Sequence, residues 1–243
     1  MKGQKTAAFA ALGTALVQRA PLGDQDARTV RLLRFGVGVI GLLLPIALPF
    51  GNWVFVQFGH QTRILPRSMS ASYYTSTRNI FVGALCALGV FLICYRYNAR
   101  DDKWSTVAGI SAIGVALCPT APQDPTPYQS AVGEAHLVLA GILLTALAMF
   151  CLWSFRDPAA AQRDRTDHAY LAAGASILAF LGVAVVTGVL HWGDRWTPTP
   201  LYVCESLSVW AFGLAWTGAA FEIGARRPGR PPHPVPRAGA LQL

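Results

Sequence analysis

The polar residues that could bind a ligand or move a proton fall where apolar segments of this sequence begin or end. They are Ser70, Tyr74, Arg78, Thr120, His136, Glu205 and Ser208. A histidine and a carboxylate can act as general base and general acid, and an arginine suits a phosphate group. Because Glu205 and Ser208 are three residues apart, they share one face of a helix. His136 and Glu205 are therefore the catalytic candidates, and the whole set is the candidate ligand-binding site.

The spacing of these residues does not match a known catalytic or metal motif. The sequence contains no HxxxH or HExxH pattern and no GxSxG turn, so neither a metal site nor a serine nucleophile is predicted. A metal role for His136 would require Glu205 or His191 nearby, and a simple interfacial position for this histidine is the alternative. We predict no metal and no cofactor.

Composition places the chain among membrane proteins. Hydrophobic residues make up 53% of the 243 residues and charged residues only 13%, whereas soluble domains carry about 25% charged residues. Apolar runs close to the roughly 20 residues that cross a bilayer recur along the chain. A polytopic membrane protein with one helical bundle is the class that fits these features.

The hydropathy pattern predicts an all-α fold, a bundle of six transmembrane helices at residues 35–223. The expected spans are about 35–56, 77–96, 104–120, 136–155, 169–190 and 201–223. Residues 1–34 are predicted to form a cytoplasmic segment, since basic residues follow the weakly apolar stretch from Thr6 to Val17 and oppose its translocation. Residues 224–243 are basic and proline-rich, and we expect this tail to be disordered.

The distribution of basic residues predicts the orientation and the partner. With both termini in the cytoplasm, sixteen lysines and arginines lie inside and four lie outside, namely Arg63, Arg67, Arg78 and Arg195. The net charge of +8 is thus explained by topology, and nucleic acid is not an expected partner. We expect a multi-pass protein of the cell membrane, with membrane lipid as partner. Protein partners and oligomeric state stay open.

These spans would gather the candidate residues at the outer end of the bundle. Arg78 and Glu205 each lie about one turn inside a span, where an ionisable group is unfavourable unless it is paired or hydrated. A pair between them would relieve both. The third span, counted as 15 residues from Trp104 to Cys118, would cover only roughly 22 Å of the roughly 30 Å apolar core and leave an outer recess. Alternatively, Arg78 extends to the interface and Glu205 is stabilised by the dipole of its own helix.

Small residues predict close helix contacts within the bundle. Gly36, Gly38 and Gly41 match a dinucleotide-binding pattern, but they lie in an apolar run rather than a βαβ unit, so helix packing is the better interpretation. Alanines at every fourth position of the third span, with Gly83 and Ala87 in the second, predict a tight hairpin. Cys118 and Cys204 both fall near outer helix ends, and a disulfide between them stays undetermined.

Three stretches of the sequence resemble a known group of membrane proteins. They are SMSASYYTSTRNIFVGALCALGVFL, GISAIGVALCPT and ESLSVWAFGLAW. Together with the histidine at the fourth span, they resemble bacterial six-span proteins of a domain-of-unknown-function family. That family is distantly similar to DRAM-like autophagy modulators and to GPI-anchor-remodelling membrane proteins. The resemblance covers roughly residues 64–216.

The resemblance implies a six-helix membrane protein with recurring polar positions at Ser70, Tyr74, Arg78, His136 and Glu205. It implies lipid-related work only by analogy of fold. This chain carries Asn79 where relatives often have an acidic residue after the arginine, which removes one candidate carboxylate.

Three functions follow as hypotheses. The first is binding of a lipid or small ligand in an outer polar recess, with Arg78 facing phosphate. The second is a membrane-embedded lipid hydrolase or transferase that uses His136 and Glu205. The third is a non-enzymatic scaffold or small-solute transporter. Against transport, no predicted span has a charge at mid-membrane, and no inverted repeat is evident.

Overall fold

The computed structural model describes residues 24–59, 64–96, 99–155 and 165–225, and in these ranges the regular structure is entirely helical. Six α-helices follow one another: α1 Asp24–Gln57, α2 Arg78–Cys94, α3 Ala99–Leu117, α4 Pro127–Met149, α5 Arg165–Val189 and α6 Pro200–Ala225. A short 3₁₀ turn, Ser70–Tyr74, precedes α2, and a π turn, Phe150–Ser154, extends α4. The predicted all-α class is confirmed for this part of the chain.

Three of the helices are long and apolar enough to cross a membrane. The spanning segments are Arg28–Gln57, Pro127–Ser154 and Thr166–Val189, and α2 is apolar but shorter. These segments lie in α1, α4 and α5. The protein therefore has the features of a membrane protein, while six crossings and the side of each terminus stay predictions.

Several helices begin earlier than their hydropathy indicated, because polar residues form their first turns. Helix α1 starts at Asp24 rather than near residue 35, with Arg28 and Arg31 exposed on its surface and Arg34 buried. Helix α4 starts at Pro127 rather than at His136. Its N-cap is Thr126, whose side chain and that of Gln129 form a reciprocal capping box.

The third helix is longer than the apolar run that predicted it. Helix α3 begins at Ala99 and has 19 residues, so its whole length is roughly 28 Å. Asp101 and Asp102 lie in its first turn, where a carboxylate interacts favourably with the helix dipole. Because this first turn is charged, the apolar part of α3 still begins near Trp104, and the outer recess stays a prediction.

The six helices form a ring in which each packs on its neighbours in sequence, and α6 packs extensively on α1 to close it. Residues 118–126 and 190–199 both hydrogen-bond to residues 64–77, whereas Arg34 meets Tyr95 and Ala219 elsewhere, so the ring has two ends. We call them the loop end, which carries residues 64–77, 118–126 and 190–199, and the Arg34 end, which carries the start of α1 and the end of α6. The apolar core lies between them.

Glycines allow the closest helix contacts. A Cβ on Gly38 would meet the side chain and backbone of Thr217 on α6, and one on Gly41 would lie 3.1 Å from the Cα of Gly213. The prediction that this glycine motif packs helices is thus confirmed. The α2–α3 hairpin is also tight, but it uses Gly89 and Gly109.

Gly83 takes no part in that hairpin contact, because a Cβ built there meets nothing within 4 Å. The predicted alanine stripe of α3 is buried at Ala108, Ala112 and Ala116. The predictions for residues 1–23 and for the tail beyond Ala225 lie outside the described residues.

Candidate functional site

The residues singled out in the sequence lie at the loop end, around a segment that we call the strap, residues 64–77. The strap runs from α1 to α2 and contains the 3₁₀ turn Ser70–Tyr74. Hydrogen bonds tie it to several elements of the ring. Asn52 on α1 donates to the carbonyl of Ile64 at 3.1 Å and accepts from the hydroxyl of Thr77 at 3.0 Å. Both ends of the strap are therefore attached to one buried amide side chain.

The other side of the strap is attached to α6. Thr199 is the residue before α6, and its hydroxyl donates to the carbonyl of Arg67 at 2.5 Å and accepts from the amide of Tyr202 at 3.1 Å. The same threonine therefore caps α6 and anchors the strap. Arg67 also lies 3.7 Å from the carboxylate of Asp194 in the α5–α6 connection.

Glu205 contacts the strap directly. Its Oε2 accepts a hydrogen bond of 2.5 Å from the backbone amide of Met69, 136 residues away in sequence. A bond from an amide to a carboxylate is stronger than one between neutral groups. Glu205 thus stabilises the conformation of the strap, and the peptide N–H of Met69 is a favourable partner for the buried side of its carboxyl group.

Arg78 does not form the expected pair with Glu205. Its guanidinium carbon lies 5.6 Å from the centroid of the Tyr73 ring, a cation–π distance. Within the described ranges its guanidinium makes no hydrogen bond and no ion pair, and the residue is exposed at the first position of α2. The expectation that one ion pair relieves both side chains is therefore wrong, because each has a different partner in the strap.

Tyr74 connects the strap to the α3–α4 connection. Its hydroxyl donates to the carbonyl of Thr120 at 2.6 Å, and its ring packs edge to face on Tyr73 at 5.4 Å. Partial burial raises the pKa of Tyr74 above its ordinary value of 10.0, and the neighbouring Tyr73 raises this pKa further. The hydroxyl is therefore a donor throughout the neutral pH range.

His136 is the tenth residue of α4 and is fully buried. Its Nδ1 lies 2.6 Å from the carbonyl oxygen of Cys118, and because a carbonyl can only accept, Nδ1 carries the proton. Gly133 allows this approach, since a Cβ there would lie 2.8 Å from the backbone nitrogen of Ala121. His136 thus ties α4 to the end of α3 rather than to Glu205.

The two candidate serines differ in their surroundings. Ser70 is half-buried at the first position of the 3₁₀ turn. Ser208 is buried, and its hydroxyl donates to the carbonyl of Cys204 one turn earlier in α6 at 2.9 Å. The proton of Ser208 is thus used within its own helix. Cys204 and Cys118 are both free thiols in the structure, which leaves no disulfide between them.

The structure does bring the predicted residues to one end, but through the strap rather than around an open recess. Arg78, Tyr74, Thr120 and Glu205 all contact the strap or belong to it. Among the described residues, no group of three or more His, Cys, Asp and Glu could hold a metal ion. The arrangement suits binding at the exposed cation more directly than proton transfer between His136 and Glu205.

A second polar centre, which the sequence did not predict, lies at the Arg34 end. Arg34 is 6% exposed, and its Nε and Nη2 donate to the hydroxyl of Tyr95 at 2.9 and 2.5 Å. Its Nη1 donates to the carbonyl of Ala219 at 3.2 Å. The guanidinium also lies 4.9 Å from the ring centroid of Phe155 and 5.4 Å from that of Tyr95. Arg34 was grouped with the cytoplasmic arginines because its helix was expected to begin one residue later.

Aromatic side chains surround this centre. Trp216 is fully buried and packs against Tyr95, Phe150, Phe155 and Phe212, at centroid distances of 5.1–5.5 Å. Beside them, the hydroxyl of Tyr170 donates to the carboxylate of Glu222 at 2.8 Å. Aromatic enrichment at the ends of predicted spans is the only sequence signal that marks this cluster.

Comparison of the chain with models of protein families, with curated proteins and with solved structures finds no match.

Proposed function

We propose that this chain is a six-span integral membrane protein of a bacterial inner membrane that binds the phosphate of an anionic lipid headgroup at its loop end. Three apolar spanning helices support the membrane location. The remaining helices α2, α3 and α6 pack between or beside them in the ring, so the same depth of bilayer would surround all six. The Arg34 end would face the cytoplasm, because it carries the excess of basic residues.

The outer surface of the ring has the apolar character that lipid requires. Large hydrophobic side chains are exposed along α1, α4 and α5, among them Leu43, Ile46, Val138, Val185 and Val186. In water, an apolar surface of this extent would favour association or aggregation. Tryptophans are exposed at the loop end, at Trp53, Trp192 and Trp196, and tryptophan is enriched at the depth of lipid headgroups.

Arg78 is the observation on which the lipid proposal rests. It is exposed at the first position of an apolar helix, and among the described residues its guanidinium makes no hydrogen bond and no ion pair. The ring of Tyr73 orients the guanidinium plane, and the N–H groups at its edge stay available to a phosphate. A headgroup phosphate at the interface would provide the counter-charge that this arginine lacks.

The alternatives have no comparable observation in their favour. His136 and Glu205 are each hydrogen-bonded to backbone groups of this chain, and the structure shows no contact between them that resembles an acid–base pair. The family resemblance rests on the quoted motifs alone and stays a proposal, as do the hydrolase, scaffold and transporter hypotheses.

Retention of lipid by purified protein tests the proposal. We expect Arg78→Ala to lower the amount of co-purified phosphatidylglycerol and cardiolipin roughly tenfold or more, since hydrogen bonds to charged groups contribute about 1.5–3 kcal/mol. Arg78→Lys keeps the charge but loses the planar donors, so it should retain an intermediate amount. Native mass spectrometry in mild detergent provides the measurement.

Arg67→Ala is the matched control, because Arg67 is an exposed arginine of the same strap but is already paired with Asp194. Its lipid retention should stay near that of the parent protein. Equal lipid retention by Arg78→Ala and the parent, at unchanged melting temperature, would rule out Arg78 as the headgroup ligand. Equal losses from both alanine variants would indicate nonspecific attraction of lipid by positive charge.

A further inference from the structure

The strap closes the loop end mainly through individual hydrogen bonds. Its bonds reach α1 through Asn52, α6 through Thr199 and Glu205, and the α3–α4 connection through the carbonyl of Thr120. The strap has no α-helix of its own and only one short 3₁₀ turn.

Apolar packing holds only part of the strap. Pro66 and Met69 are buried and Leu65 packs half-buried against the core, while Ile64 and Tyr74 are exposed. Segments with few buried apolar contacts open at a lower free energy than the core of the same protein. The strap can therefore be displaced while the helices stay packed.

The closed position also leaves a buried polar group unsatisfied. Ser72 is fully buried, and its hydroxyl has no hydrogen-bond partner among the described residues. A hydroxyl that leaves water without gaining a partner is unfavourable. Displacement of the strap would return Ser72 to water, which favours the open state and offsets part of the hydrogen bonding that holds the strap closed.

The contact between Glu205 and Met69 is the bond best suited to decide between these states. It joins the middle of the strap to a helix of the ring, and it is the bond in which the acceptor is a carboxylate. Since charge-assisted bonds are about twice as strong as neutral ones, its loss should shift the balance most.

We propose that the strap is a lid, latched by the carboxylate of Glu205 on the backbone amide of Met69, that opens to expose Ser72 to the outer surface. This inference does not depend on lipid binding by Arg78. It assigns Glu205 a conformational function instead of the catalytic one considered from the sequence.

Cysteine labelling measures the opening. In a background without the native cysteines, Ser72→Cys places a thiol where a hydroxyl without a partner is fully buried, so the exchange is mild. Tyr74→Cys places the same thiol at a residue that is 51% exposed on the same strap. With a membrane-impermeant maleimide, we expect Ser72→Cys to react at least tenfold more slowly than Tyr74→Cys.

Met69→Pro removes the hydrogen bond between the Met69 amide and Glu205. Met69 has a φ of −58°, which proline adopts without strain, so the substitution deletes the N–H group without requiring a new φ. Met69→Ala is the control, because it also removes the end of the buried methionine side chain but keeps the amide donor. In the Met69→Pro background, the thiol of Ser72→Cys should react with the maleimide roughly ten- to a hundredfold faster than in the Met69→Ala background.

Glu205→Gln is a second variant that keeps the shape of the side chain and an acceptor oxygen but loses the charge. It should accelerate labelling by a smaller factor than Met69→Pro. The proposal is overturned if the thiols of Ser72→Cys and Tyr74→Cys react with the maleimide equally fast, both with and without the hydrogen bond between Met69 and Glu205. It is also overturned if Met69→Pro matches Met69→Ala while Glu205→Gln matches the parent.

Discussion

The guanidinium of Arg34, on α1, donates to the hydroxyl of Tyr95, which lies 61 residues later in the sequence. The same side chain donates to the carbonyl of Ala219 on α6, so one buried residue connects the first, second and sixth helices. Its plane also lies against the ring of Phe155 at the end of α4. Closure of the helix ring at this end therefore involves a buried charged residue that donates to a tyrosine hydroxyl and a backbone carbonyl and lies against an aromatic ring.

Tyr95→Phe should destabilise the protein by about 1–3 kcal/mol, because it removes an acceptor and leaves part of a buried guanidinium without its partner. Unfolding in detergent, followed by tryptophan fluorescence, provides the measurement. Tyr128→Phe is the control, since Tyr128 is 78% exposed and its loss of a hydroxyl should change little. A Tyr95→Phe variant as stable as Tyr128→Phe would show that the contact does not stabilise the ring.

Gly89→Ala and Gly83→Ala should differ in their effect on the free energy of unfolding, although both glycines lie on α2. A Cβ on Gly89 would lie 2.7 Å from the carbonyl oxygen of Gly109 on α3, whereas a Cβ on Gly83 meets nothing within 4 Å. We expect Gly89→Ala to cost about 1–3 kcal/mol through overpacking. Gly83→Ala should be neutral or stabilising by up to about 1 kcal/mol through helix propensity. Thermal unfolding of both variants checks this, and equal melting temperatures would contradict the hairpin contact.

Tyr74 should contribute to stability at neutral pH and lose that contribution in alkali. Its pKa in the folded protein is raised above 10.0, so its protonated form favours folding below pH 10, and the effect disappears as the pH rises through the folded pKa. The difference in unfolding free energy between the parent and Tyr74→Phe should thus shrink above about pH 10. Tyr73→Phe should lower the pKa of Tyr74 and move this change to lower pH. A difference that is constant with pH would contradict the shift.

The proposed topology predicts that Tyr74→Cys and native Cys94 face opposite sides of the membrane. Each would be tested as the only cysteine, and both positions are exposed in the structure. An impermeant maleimide should label Tyr74→Cys in spheroplasts and Cys94 only after lysis. Labelling of both from the outside would exclude the crossing of α2 and the orientation derived from the basic residues.

Much of the fold could be predicted from the sequence, because the bilayer and the helix impose simple regularities. In the described part of the chain, apolar runs predicted the order of the helices, and small residues predicted close contacts such as those of Gly38 and Gly41 with α6. Helix starts were less accurate. The polar first turns of α1, α3 and α4 are part of the helix by hydrogen bonding and capping, while hydropathy detects only their apolar part.

The sequence by itself determined which polar residues lie at the loop end, since that follows from where helices begin and end. Only the tertiary structure decided their partners. Glu205 accepts a hydrogen bond from a backbone amide, Arg78 lies over an aromatic ring, and His136 donates to a carbonyl. Arg34 forms a polar centre of its own at the other end. The physical reason is that an ionisable side chain can be satisfied by backbone dipoles and aromatic faces as well as by an opposite charge. Such partners are present in every segment, so residue type and spacing do not distinguish among them.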